Sequence, residues 1–436
     1  MGMKKFKPYQ QMSEQMLLPV SMQEWLPADH EIYFISEAVE QMDLGMIMSQ
    51  YGEERGNPPY HPKMMVKVLI YAYARGVRGS RRIERMLWED LPMRVLAGNQ
   101  QPDHWTVAAF RRRHLEALGQ LFEQTVRMAQ KAKLVRLGHV AIDGTKIKAN
   151  ASKHSAMSYG RMKKEEERLR QDIARYFRES DEVDAEEDEI YGDQRGNELP
   201  PELGTREKRL KAIRKAKAEL EAEARAKAEQ AKRKDPEAAV PKDKAQRNFT
   251  DPESRIMRNS DKAFIQAYNA QAAVDSEHQI IVAADASNQA ADSPHLLAIT
   301  EQVEKNTGRQ LREVSADAGY FSEDNMKALM ERGIEVLIPP KRIRHSEWRE
   351  MKSPRGRPPR SLDLRGRMWR KLHTKRARQR YKLRQQTVEP VFGQIKWNRG
   401  LQQWLLRGLA ATRASWRFEC AVHNLLKMRT AGVLWA

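Results

Sequence analysis

From residue 261 to the C-terminus the apolar residues change their spacing repeatedly, and that alternation limits the fold more than any other feature. Residues 267–274 and 278–284 read as two strands that turn back on each other at Asp275-Ser276-Glu277. Leu296, Leu297, Ile299 and Val303 then recur at helical spacing within 294–305. A strand leads into Asp317, Ser322 is placed to cap a helix reaching Arg332, and 334–338 reads as another strand. Strand, hairpin, helix, strand, helix and strand imply an α/β fold, a mixed sheet flanked by helices.

The chain before this point is expected to be different. Residues 1–135 read as an all-helical domain and 136–436 as the α/β domain. Pro62 opens a segment with Met65, Val66, Val68, Leu69, Tyr71, Ala72 and Tyr73, apolar on most sides. A short helix is expected over 80–88, with Ile83 and Met86-Leu87 as its apolar positions. Asp103 can cap the next helix, which ends in Arg111-Arg112-Arg113. Short helices with a terminal arginine cluster suit a helix-turn-helix-like DNA reader, the alternative being a plain bundle with a solvated basic face. A strand at 139–143 should place Asp143 at its C-terminal end. Lys, Glu, Arg and Ala then dominate 161–235. Leu169, Ile173 and Tyr176, and again Leu210, Ile213, Leu220 and Ala224, keep helical spacing around an acidic loop at 179–189 and a Gly/Pro break at 196–204. Residues 153–262 therefore read as a helical hairpin inserted into the second domain, or as a charged linker.

Charge points to the partner. The 436 residues carry a net charge of +19, and each Lys or Arg set on a phosphate releases condensed counterions. Double-stranded DNA is the expected partner. The single cysteine, Cys420, excludes an intrachain disulfide and argues against a cysteine-based zinc site. No apolar run long enough to span a bilayer and no signal-type N-terminus is evident, so no membrane partner is expected. The expected place of work is the cytoplasm, at the nucleoid.

Three segments carry acids in contexts that suit divalent cations: His139-Val140-Ala141-Ile142-Asp143-Gly144-Thr145, Val314-Ser315-Ala316-Asp317-Ala318-Gly319-Tyr320, and Val388-Glu389-Pro390 within a basic stretch. Asp143 and Asp317 each follow a short apolar strand and precede small residues that admit a close backbone approach. Asp285 also follows a strand and is the main competitor, with Asp275 and Asp292 further acids nearby in sequence. Magnesium favours oxygen ligands, and two ions can activate an attacking oxygen and stabilise a leaving one. Between Lys341 and Arg384 there are 18 Lys/Arg against three acids, with Trp348 and Trp369 interleaved, more suited to packing than to stacking on a base. Pro390 disfavours a helical conformation at Glu389 unless the helix kinks there, which suggests a helix start or a bend. Asn269, Gln271 and His278 fall near the expected edge of the sheet without a motif to promote them.

These segments resemble bacterial insertion-sequence transposases with a DDE triad. Asp143-Gly144-Thr145 is similar to the family's first-aspartate motif and Ala316-Asp317-Ala318-Gly319-Tyr320 to the second. Glu389 with Lys396 resembles the glutamate and lysine of the Tyr-Arg-Glu-Lys signature, and Arg384 and Tyr381 each sit one residue further from the glutamate than the signature places them. The helical region before the catalytic part, and a charged insertion between the two aspartates, resemble one subgroup. The resemblance implies an RNase H-like catalytic domain, which the element order also fits. It implies Asp143, Asp317 and Glu389 as catalytic and metal-binding residues, two Mg²⁺ (or Mn²⁺) ions, and Lys396, Arg384 and Tyr381 on DNA. Arg111, Arg112 and Arg113 are the expected DNA contacts of the helical domain. The implied activity is binding of terminal inverted repeats, strand cleavage and strand transfer, by a homodimer or higher multimer on DNA. The alternatives are a nuclease that does not join ends and a non-catalytic DNA-binding regulator derived from such an enzyme.

Overall fold

Apolar spacing sets the two parts of the chain apart. The computed structural model describes residues 22–51, 59–191, 201–231, 235–259, 261–342, 352–359 and 361–435, side chains at 22–23, 176–177, 179–191 and 201–204 aside. It divides into one unit of Met1–His114 with Gly432–Ala436 and a second of Leu115–Ala431.

The first unit is helical: α1 (Glu31–Glu40), α2 (Gly45–Met48), α3 (Pro62–Ala74), α4 (Ser80–Glu89), α5 (Leu91–Leu96) and α6 (His104–Arg113). Pro62 occupies the first turn of α3, where its missing N–H is not needed. His61 Nδ1 accepts from Lys63 N to complete the cap. Met65, Val66, Val68, Leu69, Ile70, Tyr71 and Ala72 are all buried, so α3 is the core helix that its all-round apolar pattern predicts. Asp103 caps α6 through Thr106 N at 2.7 Å.

The second unit begins with α7 (Leu115–Lys131) and continues through β1 (Val140–Lys148), β2 (Ala156–Ser158), α8 (Tyr159–Tyr191), α9 (Pro201–Gln230), β3 (Gln246–Asn248), β4 (Arg255–Arg258), β5 (Phe264–Asp275), β6 (Ile281–Ser287), α10 (Leu296–Thr307), β7 (Glu313–Ser315), α11 (Glu323–Glu331), β8 (Glu335–Leu337), α12 (Leu364–Leu372), α13 (Lys375–Gly393) and α14 (Leu409–Thr430). The main sheet runs β4-β5-β1-β7-β8, with β6 also paired to β5. β1 is antiparallel to β5 over its full length but parallel to β7 only at Val140↔Val314 and Ala141↔Ser315. β5 and β6 form the antiparallel pair expected from the sequence. Helix α14 packs on α7 and β6, and α13 packs on β1 and β5. This mixed sheet with many helices is compatible with an RNase H-like fold.

Between β1 and β4 the charged segment folds as two packed helices. Met162, Leu169, Leu210, Ile213 and Leu220 form their buried seam, and the β2–β3 pair closes the base. Over the described residues the segment carries two long helices, and one detail differs from the expectation. Residues 179–189 do not form a loop: the backbone of α8 stays helical to Tyr191. Of the expected break at 196–204, residues 196–200 lie outside the described residues, as does Trp348, and the backbone of 201–204 is already helical in α9. The side chain of Tyr176 is likewise not described.

Candidate active site

The parallel register between β1 and β7 brings the two aspartates together. Val140 stands opposite Val314, and Asp143 and Asp317 each lie three residues further on from that pair. Asp143 does not end its strand as expected. It lies in the middle of β1, opposite Ala272 of β5, at the level where the edge facing β7 becomes free. Asp317 ends its own element: beyond Ser315 the chain leaves the sheet, and Asp317 Oδ1 accepts from Gly319 N at 2.9 Å in a short 3₁₀ turn.

Glu389 arrives on α13, which runs unbroken through Pro390. The proline removes the N–H that Gln386 O would receive. Gln279 Nε2 donates to that carbonyl instead, at 2.9 Å. Outside support for one carbonyl thus keeps Glu389 helical, against the expectation drawn from Pro390.

Arg384 links these acids. Its Nη1 donates to Asp143 Oδ2 at 3.0 Å and its Nη2 lies 3.6 Å from Glu389 Oε1. Its side chain is only 13% exposed and its guanidinium sits against the Tyr381 ring, 5.9 Å from the centroid. Burial, with Asp317 and Asp292 close by, pushes the Asp143 carboxyl up to about 6 in spite of Arg384. Burial also raises the Tyr381 phenol. Asp317, Gly319, Pro339, Arg342, Tyr381 and Arg384 line a pocket of about 430 Å³. Lys396 lies in a π-helical turn at Gln394–Asn398 and donates to Thr145 Oγ1 at 2.9 Å. Thr145 is two residues beyond Asp143 and on the same face of β1, so Lys396 also borders the site, where burial lowers its pKa.

Asp143, Asp317, Glu389, Arg384, Tyr381 and Lys396 thus converge around one sheet edge. Among the described residues, no three His, Cys, Asp or Glu side chains stand close enough to hold one ion as they are placed. The acids meet through Arg384 instead, and Glu389, 53% exposed, is the one turned furthest outward. Their chemistry still suits a hard divalent cation: the donors are carboxylate oxygens, and the carboxyl of Asp143 remains incompletely compensated by one guanidinium.

The competing acid of the sequence, Asp285, is engaged elsewhere, by Arg413 Nε. The acid that the sequence did not single out is Asp292. Its Oδ1 accepts from Lys146 Nζ at 2.8 Å, Asn269 Nδ2 at 2.7 Å and Gln271 Nε2 at 2.9 Å. A Cβ at Gly144 would collide with the Gln271 amide, so the space beside Gly144 is filled by the protein's own polar groups rather than kept for substrate. Asn269 and Gln271 alternate on β5, the one signal that could have found this network.

The arginines of α6 separate. Arg111 is 7% exposed and donates to Arg78 O. Arg112 is exposed and lies over the Trp105 ring, while Arg113 donates to Gln50 O and lies over Tyr51. A more continuous basic face lies on α4, where Arg81, Arg85 and Trp88 follow at i, i+4 and i+7, with Arg82 alongside, all exposed.

Two families match this chain. Residues 20–113 match the family described as Transposase domain, and residues 237–425 match the one described as Transposase DDE domain. Together the matches support a transposase of the DDE type. Asp317 and Glu389 fall inside the second span, and Asp143 falls outside both. No curated protein and no solved structure matches the chain. Among the described residues no helix is long and apolar enough to cross a membrane.

Proposed function

We propose that this chain is a DNA transposase that binds the terminal inverted repeats of an insertion sequence and carries out metal-dependent strand cleavage and strand transfer on an RNase H-like domain. The observation that carries the reading is the convergence of Asp143, Asp317 and Glu389 on Arg384, with Lys396 beside them. A pair of Mg²⁺ or Mn²⁺ ions supplies activation of the attacking oxygen and stabilisation of the leaving oxygen. Asp143, Asp317 and Glu389 would hold these cations. Arg384, Tyr381 and Lys396 line the path of the DNA backbone, Arg384 as a bidentate partner for phosphate. Arg342, on the wall of the same pocket, adds a second cation for the strand.

DNA also engages the helical unit. The exposed face of α4 presents Arg81, Arg82, Arg85 and Trp88, and the one acid among the arginines, Glu84, is engaged by His104 Nδ1 at 3.0 Å. Arg112 and Arg113 contribute from α6. Arg111 supports that helix from inside. The protein acts as a homodimer or larger assembly that holds two DNA ends.

The test is an end-cleavage and joining assay on linear DNA carrying the sequences that flank the reading frame, with Mg²⁺ or Mn²⁺. Wild-type protein should nick at the inverted repeats and join the freed 3′ ends to a target duplex. Asp143→Ala, Asp317→Ala and Glu389→Ala should each reduce both products by 10³-fold or more, on the order expected when a catalytic unit is broken. Joined products from Asp317→Ala at wild-type yield would remove the proposal. Nicked but never joined products would favour a nuclease.

A further inference from the structure

The network around Asp292 is not used by the reading above. One oxygen of this carboxylate, Oδ1, is fixed by three donors from β1 and β5. The other, Oδ2, has no partner among the described residues, and it lies 3.4 Å from where a Cβ on Gly319 would stand; Asp317 Oδ1 lies 3.0 Å from that same point. Asp292 Oδ1 lies 3.0 Å from where a Cβ on Gly144 would stand. The carboxylate is therefore wedged between the glycine that follows Asp143 and the glycine two residues after Asp317.

A second observation points to something bound there. Asn269 is fully buried, and its Oδ1 has no hydrogen-bond partner although its Nδ2 serves Asp292 and Gln289 O. That oxygen lies 3.0 Å from where a Cβ on Gly144 would stand. A buried acceptor without a donor is costly unless a donor arrives. Asp292 Oδ2 thus stands unused beside Asp317, and Asn269 Oδ1 lacks a donor on the Gly144 face of β1, behind the same carboxylate.

We infer that Asp292 is a fourth carboxylate of the cation site, acting at one remove: through Oδ2 it accepts a hydrogen bond from water bound to the cation that Asp143 and Asp317 hold. This rests on the reading of Asp143 and Asp317 as cation ligands. Magnesium-type cations keep several waters, and groups that hold those waters set affinity as well as orientation. Lys146 fixes Asp292 and shares its charge, so the network also sets how much negative charge the cation meets. Asp292 is in these terms a positioning residue.

The experiment is calorimetric titration of the full-length protein with Mn²⁺, without DNA. Asp292→Asn should weaken Mn²⁺ binding by about 10-fold to 100-fold while far-UV circular dichroism stays unchanged. Asp285→Asn, whose acid is held by Arg413, should bind as wild type. Lys146→Met, which frees Asp292 from its lysine, should tighten binding severalfold. This variant keeps the test decisive if Asp292→Asn does not fold. Wild-type affinity in Asp292→Asn, or in Lys146→Met, would overturn the inference. Loss of binding in Asp143→Asn alone would leave the cation-ligand reading standing and remove only the role of Asp292. No difference in Asp143→Asn would remove both.

Discussion

Arg384 is the residue on which the site's electrostatics turn. It faces three acids and is close to fully enclosed. Replacing it with Met leaves Asp143 half-buried without its cation, and we expect a loss of roughly 1–3 kcal/mol at pH 8, read from thermal melting. Added Mg²⁺ should then raise the melting temperature more in Arg384→Met than in wild type, because cation and guanidinium serve the same carboxylates. Equal Mg²⁺ shifts would contradict this role. Asp143 gives a second expectation. Its folded carboxyl titrates near 6, against about 3.9 in an unfolded chain. Between those values the folded protein holds a proton that the unfolded chain has lost, so rising pH destabilises the fold through that window. Asp143→Asn should therefore be more stable than wild type at pH 8, on the order of 2 kcal/mol, with the gain fading toward pH 4. A variant less stable than wild type at both pH values would contradict it. Asp143 and Asp317 were legible as acids after apolar strands. The choice between Asp285 and Asp292 was not, because it depends on which acid meets Arg413 and which folds back onto Asn269 and Gln271.

At the scale of elements, periodicity was a good guide where one face of a segment is buried. The β5–β6 hairpin, α10, and α11 with its Ser322 cap all stand where apolar spacing places them. It misled where a distant partner decides. Pro390 argues locally for a break, and Gln279, more than a hundred residues away in sequence, supplies the donor that lets α13 continue. The strand through Asp143 extends to Lys148 because β5 offers nine paired residues, a length that its own apolar run does not announce. The α6 arginines show the same limit: a cluster in sequence is split by helix geometry into one inward and two outward side chains. The α4 face yields a prediction of its own. Replacing Arg81, Arg82 and Arg85 together by Ala should lower the slope of log affinity against log salt for duplex DNA by about 2–3, as expected for three lost phosphate contacts. Arg111→Met should instead destabilise the helical unit in thermal unfolding, since Arg111 is the buried donor to Arg78 O. An unchanged salt slope in the triple variant would move the DNA contact elsewhere.

For the molecule as a whole, a net charge of +19 and two transposase-family matches describe a chain built for DNA, with a helical unit followed by a mixed α/β unit. Each unit is organised by its own core. In the reading proposed above, Asp143, Asp317 and Glu389 gather on divalent cations. Crystals of the protein with short duplex DNA, soaked in Mn²⁺, would test it through anomalous scattering. We predict manganese peaks about 2.0–2.2 Å from carboxylate oxygens of all three residues, with Arg384 withdrawn from Asp143. Peaks absent from this edge of the sheet, or a fully loaded site in which Glu389 takes no part, would contradict the account.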